Sequence, residues 1–297
     1  MNVSVIIPNY NGLELLHRNL PYVMTAYRNR INRILEVIVV DDMSKDESVR
    51  FLKSNYPEIK LIRHKKNRGF SAAVNTGVRG SKGNYIVLLN SDVKPSVDFL
   101  RNAIPHFENE KVFAVSFAEE NFSWAKGFFK NGFVGHEPGK YINKTHETFW
   151  VNGGSGIFRR DYWVMLGGMD EKLLSPFYWE DIDLCYRAQK RGLVCLWEPG
   201  AKVLHEHEQT VKRLPQKYVR KIRERNQLLF IWKNITSQRL FRKHQTKLFE
   251  YILRHPGYTL VFMRALKSLP DVIKARRREK KESKVSDEAI FSKFNAF

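Results

Sequence analysis

The 297 residues carry 51 Lys and Arg against 31 Asp and Glu, a formal net charge of +20, with 43% hydrophobic and 13% aromatic residues. That apolar content excludes disorder as the dominant state. Two cysteines exclude a disulfide framework and fit a reducing, cytoplasmic compartment. The length suits two domains, or one α/β domain of up to about 250 residues plus an extension. The opening MNVSVIIPNYNG has no basic leader and too short an apolar run for a signal peptide. No run of about 18 uncharged apolar residues is present to cross a membrane, and the mean hydropathy is −0.44.

The first hundred residues alternate between two periods. Val3 to Ile7 is a β-branched run ended by Pro8 and reads as a buried strand. Leu13, Leu16, Leu20 and Val23 then fall on one helical face. Ile34 to Val40 predicts a second buried strand, and Ser44 with Glu47 predicts a capping box for the next helix. Strands follow at Ile59–Ile62 and Tyr85–Leu89, separated by a helix over Gly69–Val78. Pro95 is placed to open a helix before a fifth strand at Val112–Phe117. This strand–helix alternation predicts a parallel sheet with helices on both faces. Residues 118–150 show no clear period and read as a long surface excursion. Helices are predicted near Arg160–Leu166 and Glu180–Arg191, short strands at Leu193–Trp197 and Ala201–Leu204, and helices from Pro215 onward.

Carboxylates at the C-terminal ends of parallel strands point into the crevice where such sheets bind ligands. Asp41-Asp42 and Asn90-Ser91-Asp92 both occupy such ends. Either alone reads as a turn former or helix cap; together, on one edge, they indicate a nucleotide site with a divalent cation. A third cluster, Glu180-Asp181-Ile182-Asp183, either favours a helix dipole or supplies a general base. Asn152-Gly153-Gly154 gives backbone able to approach a ligand closely. His205 ends a short strand and has His207 nearby.

In order, these segments resemble the family 2 glycosyltransferases. VSVIIPNYNG is similar to that family's opening strand and turn, and VVDDMSKDES to its VVDDGSTDxS segment. NRGFSAAVNTG resembles NxGFxxAxNxG, and LLNSDV resembles the LLNxDV form of the metal motif. The segment from Val151 to Gly192 resembles the acceptor side with its ED-x-D motif. Each piece is weak alone, and all of them in the right order are specific. The likeness covers roughly residues 1–235 and is nearest to the bacterial rhamnosyltransferase-like branch.

The resemblance implies an α/β fold of GT-A type, a Rossmann-like, mostly parallel sheet flanked by helices, over residues 1–235. Residues 236–297 would form a basic helical extension. It implies an inverting, hexosyltransferase-type enzyme that moves a sugar from a UDP- or dTDP-type donor. The acceptor would be a saccharide or lipid-linked saccharide in bacterial surface polysaccharide synthesis. Pro8, Tyr10, Asp41 and Asp42 would line the base and ribose pocket, and Asn67, Gly69, Phe70 and Asn75 would shape the pocket beside it. Asp92, joined by His205, would hold Mg²⁺ or Mn²⁺ against the diphosphate. Asp181 would be the base, Glu180 its supporting or acceptor-binding neighbour, and Gly153 and Gly154 would lie near the donor sugar. Asn90 departs from the motif, which usually has Asp there; an amide supplies hydrogen bonds but no charge.

The charge is uneven. Residues 1–200 hold 27 basic and 22 acidic side chains, a net of +5, and residues 201–297 hold 24 and 9, a net of +15. The near-balance of the first part, with no helix-turn-helix, zinc or aromatic-platform signature, argues against a nucleic-acid-binding protein. The missing G-x-G-x-x-G after the first strand argues against a dinucleotide-dependent oxidoreductase. A non-catalytic family relative stays open. In the tail, Phe262, Leu266 and Leu269 sit at helical spacing, Pro270 breaks the run, and Lys274–Arg278 follow. This suits an interfacial helix on an anionic membrane, peripheral on the inner face. It equally suits a helix packed on the main domain with a solvated basic end.

Overall fold

Val3, Val5 and Ile7 of strand β1 (Val3–Asn9) join one apolar cluster and Ile6 joins another on the opposite face, the period-two alternation of a strand buried on both sides. A computed structural model describes residues 1–120, 122–205 and 214–295. After β1 come α1 (Leu13–Arg28), β2 (Ile34–Asp41), α2 (Ser48–Asn55), β3 (Lys60–Arg63), α3 (Phe70–Gly80), β4 (Tyr85–Leu89) and β5 (Val93–Pro95). The middle of the chain holds β6 (Val112–Glu119), β7 (Ala125–Lys130), β8 (Phe133–Pro138), β9 (His146–Glu147) and β10 (Ser155–Arg159). There follow α4 (Arg160–Leu166), α5 (Glu180–Lys190) and β11 (Val194–His205). The chain closes with α6 (Gln216–Asn234), α7 (Gln238–Arg254), α8 (Thr259–Leu266), α9 (Leu269–Glu282) and α10 (Asp287–Asn295).

The main sheet has the order β3-β2-β1-β4-β10-β6-β11-β5, with β9 also on β11. β1 to β4, β6 and β11 all point one way, so Asn9, Asp41, Leu89, Glu119 and His205 end on one edge. The expected parallel sheet holds over β3-β2-β1-β4; beyond it β10 runs antiparallel to β4 and β6. The reason is local: β10 starts at the same edge, with Ser155 opposite Leu89, which brings Asn152–Gly154 against the strand ends. Leu16, Leu20, Val23 and Met24 of α1 bury against one sheet face, and α3, α4 and α5 cover the other. Truncating any one of these buried side chains to Ala costs about 2–5 kcal/mol.

Four expectations need correction. Ser44 caps no helix: its hydroxyl accepts from Asn9 Nδ2 and the Asn11 N–H, while Asp46 accepts from the Ser48 N–H at the start of α2. Pro95 ends a strand, opposite Val203, because β5 is an edge strand where a missing N–H is tolerated. Residues 118–150 are not a featureless excursion. β7 and β8 form a hairpin about Asn131 and Gly132, both at positive φ, and Trp124, Val134 and Phe149 are buried. The two short strands predicted at 193–204 are one strand, β11, with an irregularity between Glu198 and Lys202.

The basic extension packs on the rest. Asp287 of α10 accepts from Lys190 Nζ and Tyr186 Oη, each at 2.7 Å. Glu279 of α9 pairs with Arg191 at 2.7 Å. Of the predicted stripe, Phe262 and Leu266 lie partly buried against a cluster that runs from Trp124 to Phe294, while Leu269 is exposed. Pro270 opens α9. Among the described residues no helix is long and apolar enough to cross a membrane.

Candidate active site

A cavity of about 830 Å³ opens along the edge where β1, β4, β6 and β11 end. The hairpin side chain His136, the loop Pro176–Trp179 and the start of α5 form its other wall. Of the residues singled out in the sequence, Pro8, Tyr10, Asp42, Asn67, Gly69, Phe70, Asn90, Asp92, Gly153, Gly154, Glu180, Asp181 and His205 all line it. Asp41 and Asn75 are outside the lining. Asp41 accepts from Asn9 Nδ2 and the Ser44 N–H and pairs with Arg63, so it ties β1 to β2. Asn75 joins α3 to the Met169 backbone through both ends of its amide. His207 lies outside the described residues.

Asp42, 3% exposed, accepts from the N–H groups of Arg68 and Gly69 and meets His64 Nδ1 at 2.7 Å. Its carboxylate shapes the 67–69 loop, which carries Asn67 and Phe70 into the cavity. Gly69 sits at φ +84, and a Cβ there would lie 3.0 Å from Ser175 Oγ and 3.2 Å from the Pro176 carbonyl oxygen. Only glycine lets this loop meet the opposite wall without strain.

Asp92 and His205 face each other, with 3.2 Å between Oδ1 and Nε2. Asp92 Oδ1 is buried and accepts no hydrogen bond of good geometry among the described residues. On the other ring nitrogen, His205 Nδ1 lies 3.0 Å from Glu119 Oε1. Burial lowers the basicity of His205, but its bonds to Asp92 and Glu119 outweigh that and raise its pKa to about 9. Among the described residues no three His, Cys, Asp or Glu are arranged to hold a metal by themselves. The residues nevertheless fit a divalent cation shared with a ligand, bound in exchange for the His205 proton: the Asp92 carboxylate and the His205 ring face each other on the cavity wall, with room for a diphosphate to supply the other donors.

Asn90 fills the space beside Gly154. A Cβ on Gly154 would come within 2.2 Å of Asn90 Nδ2, so the small residue is required by this contact. On the opposite wall, Tyr178 and Trp179 take positive φ values of 71° and 76° just before α5. Non-glycine residues there store strain, and such strain concentrates at functional sites. The turn sets the three carboxylates of the first helical turn in different places. Asp183 is fully buried against Arg187, Lys233 and Asn234 and has left the cavity. Glu180 and Asp181 line it.

Their environments differ. Burial, then the neighbouring Asp181 charge, pushes the Glu180 carboxyl well above the usual range, and its Oε2 has no hydrogen-bond partner among the described residues. Burial pushes Asp181 to about 6, opposed by the N–H groups of Ile182 and Gly153. Both carboxyls of this adjacent pair are thus held above the usual carboxylate range, chiefly by burial.

Sequence reasoning missed several cavity residues. Glu119 ends β6 on the edge that carries Asp42 and Asp92, and that same strand-end signal would have found it. Trp150, His136 and Arg223 come from segments without a motif. Trp150 Nε1 is buried with no partner among the described residues. Arg223 lies 4.4 Å over the Tyr178 ring. Burial, then Arg223, lowers the basicity of His136.

The model of the family described as Glycosyl transferase family 2 matches residues 4–166, more than half of the chain. The chain belongs to this family. A pre-mycofactocin glycosyltransferase of Mycobacterium tuberculosis is 29% identical over 216 residues, 69% of this chain and 43% of that protein. A dolichol-phosphate mannosyltransferase of Pyrococcus furiosus is 34% identical over 119 residues, 39% of this chain and 32% of that protein. The chain thus spans less than half the length of these relatives. Among solved structures, GalNAc-T7 with UDP, GalNAc and Mn²⁺ superposes with a TM-score of 0.63 at 15% identity, over 88% of this chain and 57% of that one. The mannosyltransferase PcManGT of Pyrobaculum calidifontis, in complex with GDP-Man and Mn²⁺, gives 0.58 at 17% identity, over 99% and 86%. These likenesses establish the GT-A architecture of the family 2 domain, with its helical extension.

Proposed function

We propose that this family 2 chain transfers a sugar, with inversion, from a nucleotide-diphosphate donor to a saccharide or lipid-linked saccharide acceptor, as in bacterial surface polysaccharide synthesis. The observation that carries this reading is the meeting of two sites in one cavity: the Asp92–His205 pair and the Glu180–Asp181 pair. The likeness to proteins whose structures hold UDP or GDP-Man with Mn²⁺ supports a nucleotide-sugar donor. A UDP or dTDP donor follows from the sequence resemblance.

The donor's base and ribose would lie between Pro8, Tyr10 and the 67–70 loop. Asp92 and His205 would hold Mg²⁺ or Mn²⁺, which when bound neutralises charge on the diphosphate leaving group. Glu119 fixes the ring of His205 so that Nε2 faces Asp92. Asp181 takes the proton from the acceptor hydroxyl as its oxygen forms the new bond to the anomeric carbon. The bond from that carbon to the diphosphate breaks, and the nucleoside diphosphate leaves. Glu180, beside Asp181 on the cavity wall, would support it or contact the acceptor. One such general base is typically worth about 10²–10⁴ in rate.

A thermal-shift screen of UDP-, dTDP- and GDP-sugars with Mn²⁺ tests the reading. One donor class should raise the melting temperature and then be consumed with an acceptor. No stabilisation by any donor would refute it, and stabilisation without turnover would leave a non-catalytic relative.

A further inference from the structure

Of twenty exposed large apolar side chains among the described residues, seven lie between residues 249 and 273. Six of them form ridges at helical spacing: Phe249 and Leu253 on α7, Leu260 and Met263 on α8, Leu269 and Ile273 on α9. Phe249 and Leu253 are each 65% exposed and Met263 is 53% exposed. They are not the core-facing sides of these helices, which bury Leu248, Val261, Ala265 and Val272. None of the six lines the active-site cavity.

The charges among the ridges are of one sign. Arg254, Arg264, Lys267 and Lys274 are exposed. The two acids of the stretch are each in an ion pair, Glu250 with Lys247 and Asp271 with Lys172, both at 2.7 Å. Apolar ridges flanked by cations, in a region of net charge +15, match a surface that is apolar inside and anionic at its face.

We propose that the outer face of α7, α8 and α9 seats this protein on an anionic lipid bilayer, with Phe249, Leu253, Leu260 and Met263 entering the interface. This differs from the sequence reading, whose stripe is Phe262, Leu266 and Leu269: the first two pack inward and only Leu269 belongs to the outer ridges. It is independent of which sugar the enzyme transfers.

The test is co-sedimentation of the full chain with vesicles of phosphatidylglycerol and phosphatidylcholine, against phosphatidylcholine alone. The protein should bind the anionic vesicles and release with added salt. The Phe249→Ser/Leu253→Ser variant should lose about tenfold in binding or more, with an unchanged melting temperature. Arg264→Glu/Lys267→Glu should lose binding while keeping both ridges. Failure of the wild type to sediment, or equal binding to both vesicle types, would overturn the proposal. So would a dimer in solution that the serine variant dissociates, which would assign the ridges to a second copy of the chain.

Discussion

Glu119 Oε1 lies 3.0 Å from Nδ1 of His205, and the other nitrogen of that ring stands 3.2 Å from Asp92 Oδ1. Glu119 also accepts from Asn152 Nδ2 and Ser155 Oγ, so one carboxylate orders the ends of β6, β10 and β11. It acts on the proposed metal through His205. Glu119→Gln should therefore weaken Mn²⁺ binding by about 10–100-fold while nucleotide binding in the absence of metal stays unchanged. Calorimetric titration with Mn²⁺ separates the two; an unchanged Mn²⁺ affinity would remove Glu119 from this role.

Chelation follows the same logic. EDTA should abolish transfer, and Mn²⁺ or Mg²⁺ should restore it. Full turnover in EDTA would leave Asp92 and His205 as an ordinary ion pair.

The pKa of Asp181, about 6, sets a pH dependence. A base must be ionised, so transfer should rise through pH 6 and level off above it. The effect on stability has the opposite direction. A carboxyl whose pKa is raised on folding stabilises fully below its unfolded value of about 3.9, and the contribution is lost as pH rises through 6. At pH 8 Asp181→Asn should accordingly melt higher, by about 2–4 °C for each kcal/mol recovered. Scanning calorimetry at pH 5 and pH 8 checks this, and a variant that melts lower at pH 8 would contradict it.

Asp183 answers in reverse. Burial disfavours its charge, but Arg187 and Lys233 outweigh burial and lower its pKa to about 2. Its contribution is present above about pH 3.9 and is lost as pH falls through 2. Asp183→Asn would leave the buried Arg187 without its carboxylate partner and Lys233 with Asp170 alone, at a cost of about 3–5 kcal/mol. Urea unfolding at pH 7 should show this loss; a cost under about 1 kcal/mol would mean that the network is loosely held.

Much of the frame was legible because its signals are local. β-branched runs gave β1, β2 and β4 nearly to the residue, and strand-end acids marked the cavity edge. Three things were not. The hairpin escaped because its glycines and aromatics blur the alternation, although Asn131-Gly132 is itself a hairpin turn signal. The separation of Asp183 from Glu180 and Asp181 depends on Lys233 and Asn234, about fifty residues later. The tail's inward and outward faces could not be told apart, since both carry apolar residues at helical spacing. Which face packs is set by partners on α6 and the hairpin.

The central claim is that Asp181 is the base of a transfer reaction in a cavity that also binds the donor. The most direct measurement pairs a transfer assay with donor binding on Asp181→Asn. Transfer should fall by about 10²–10⁴ while affinity for the nucleotide diphosphate with Mn²⁺ stays within a few-fold of wild type. Undiminished turnover in that variant would contradict the claim.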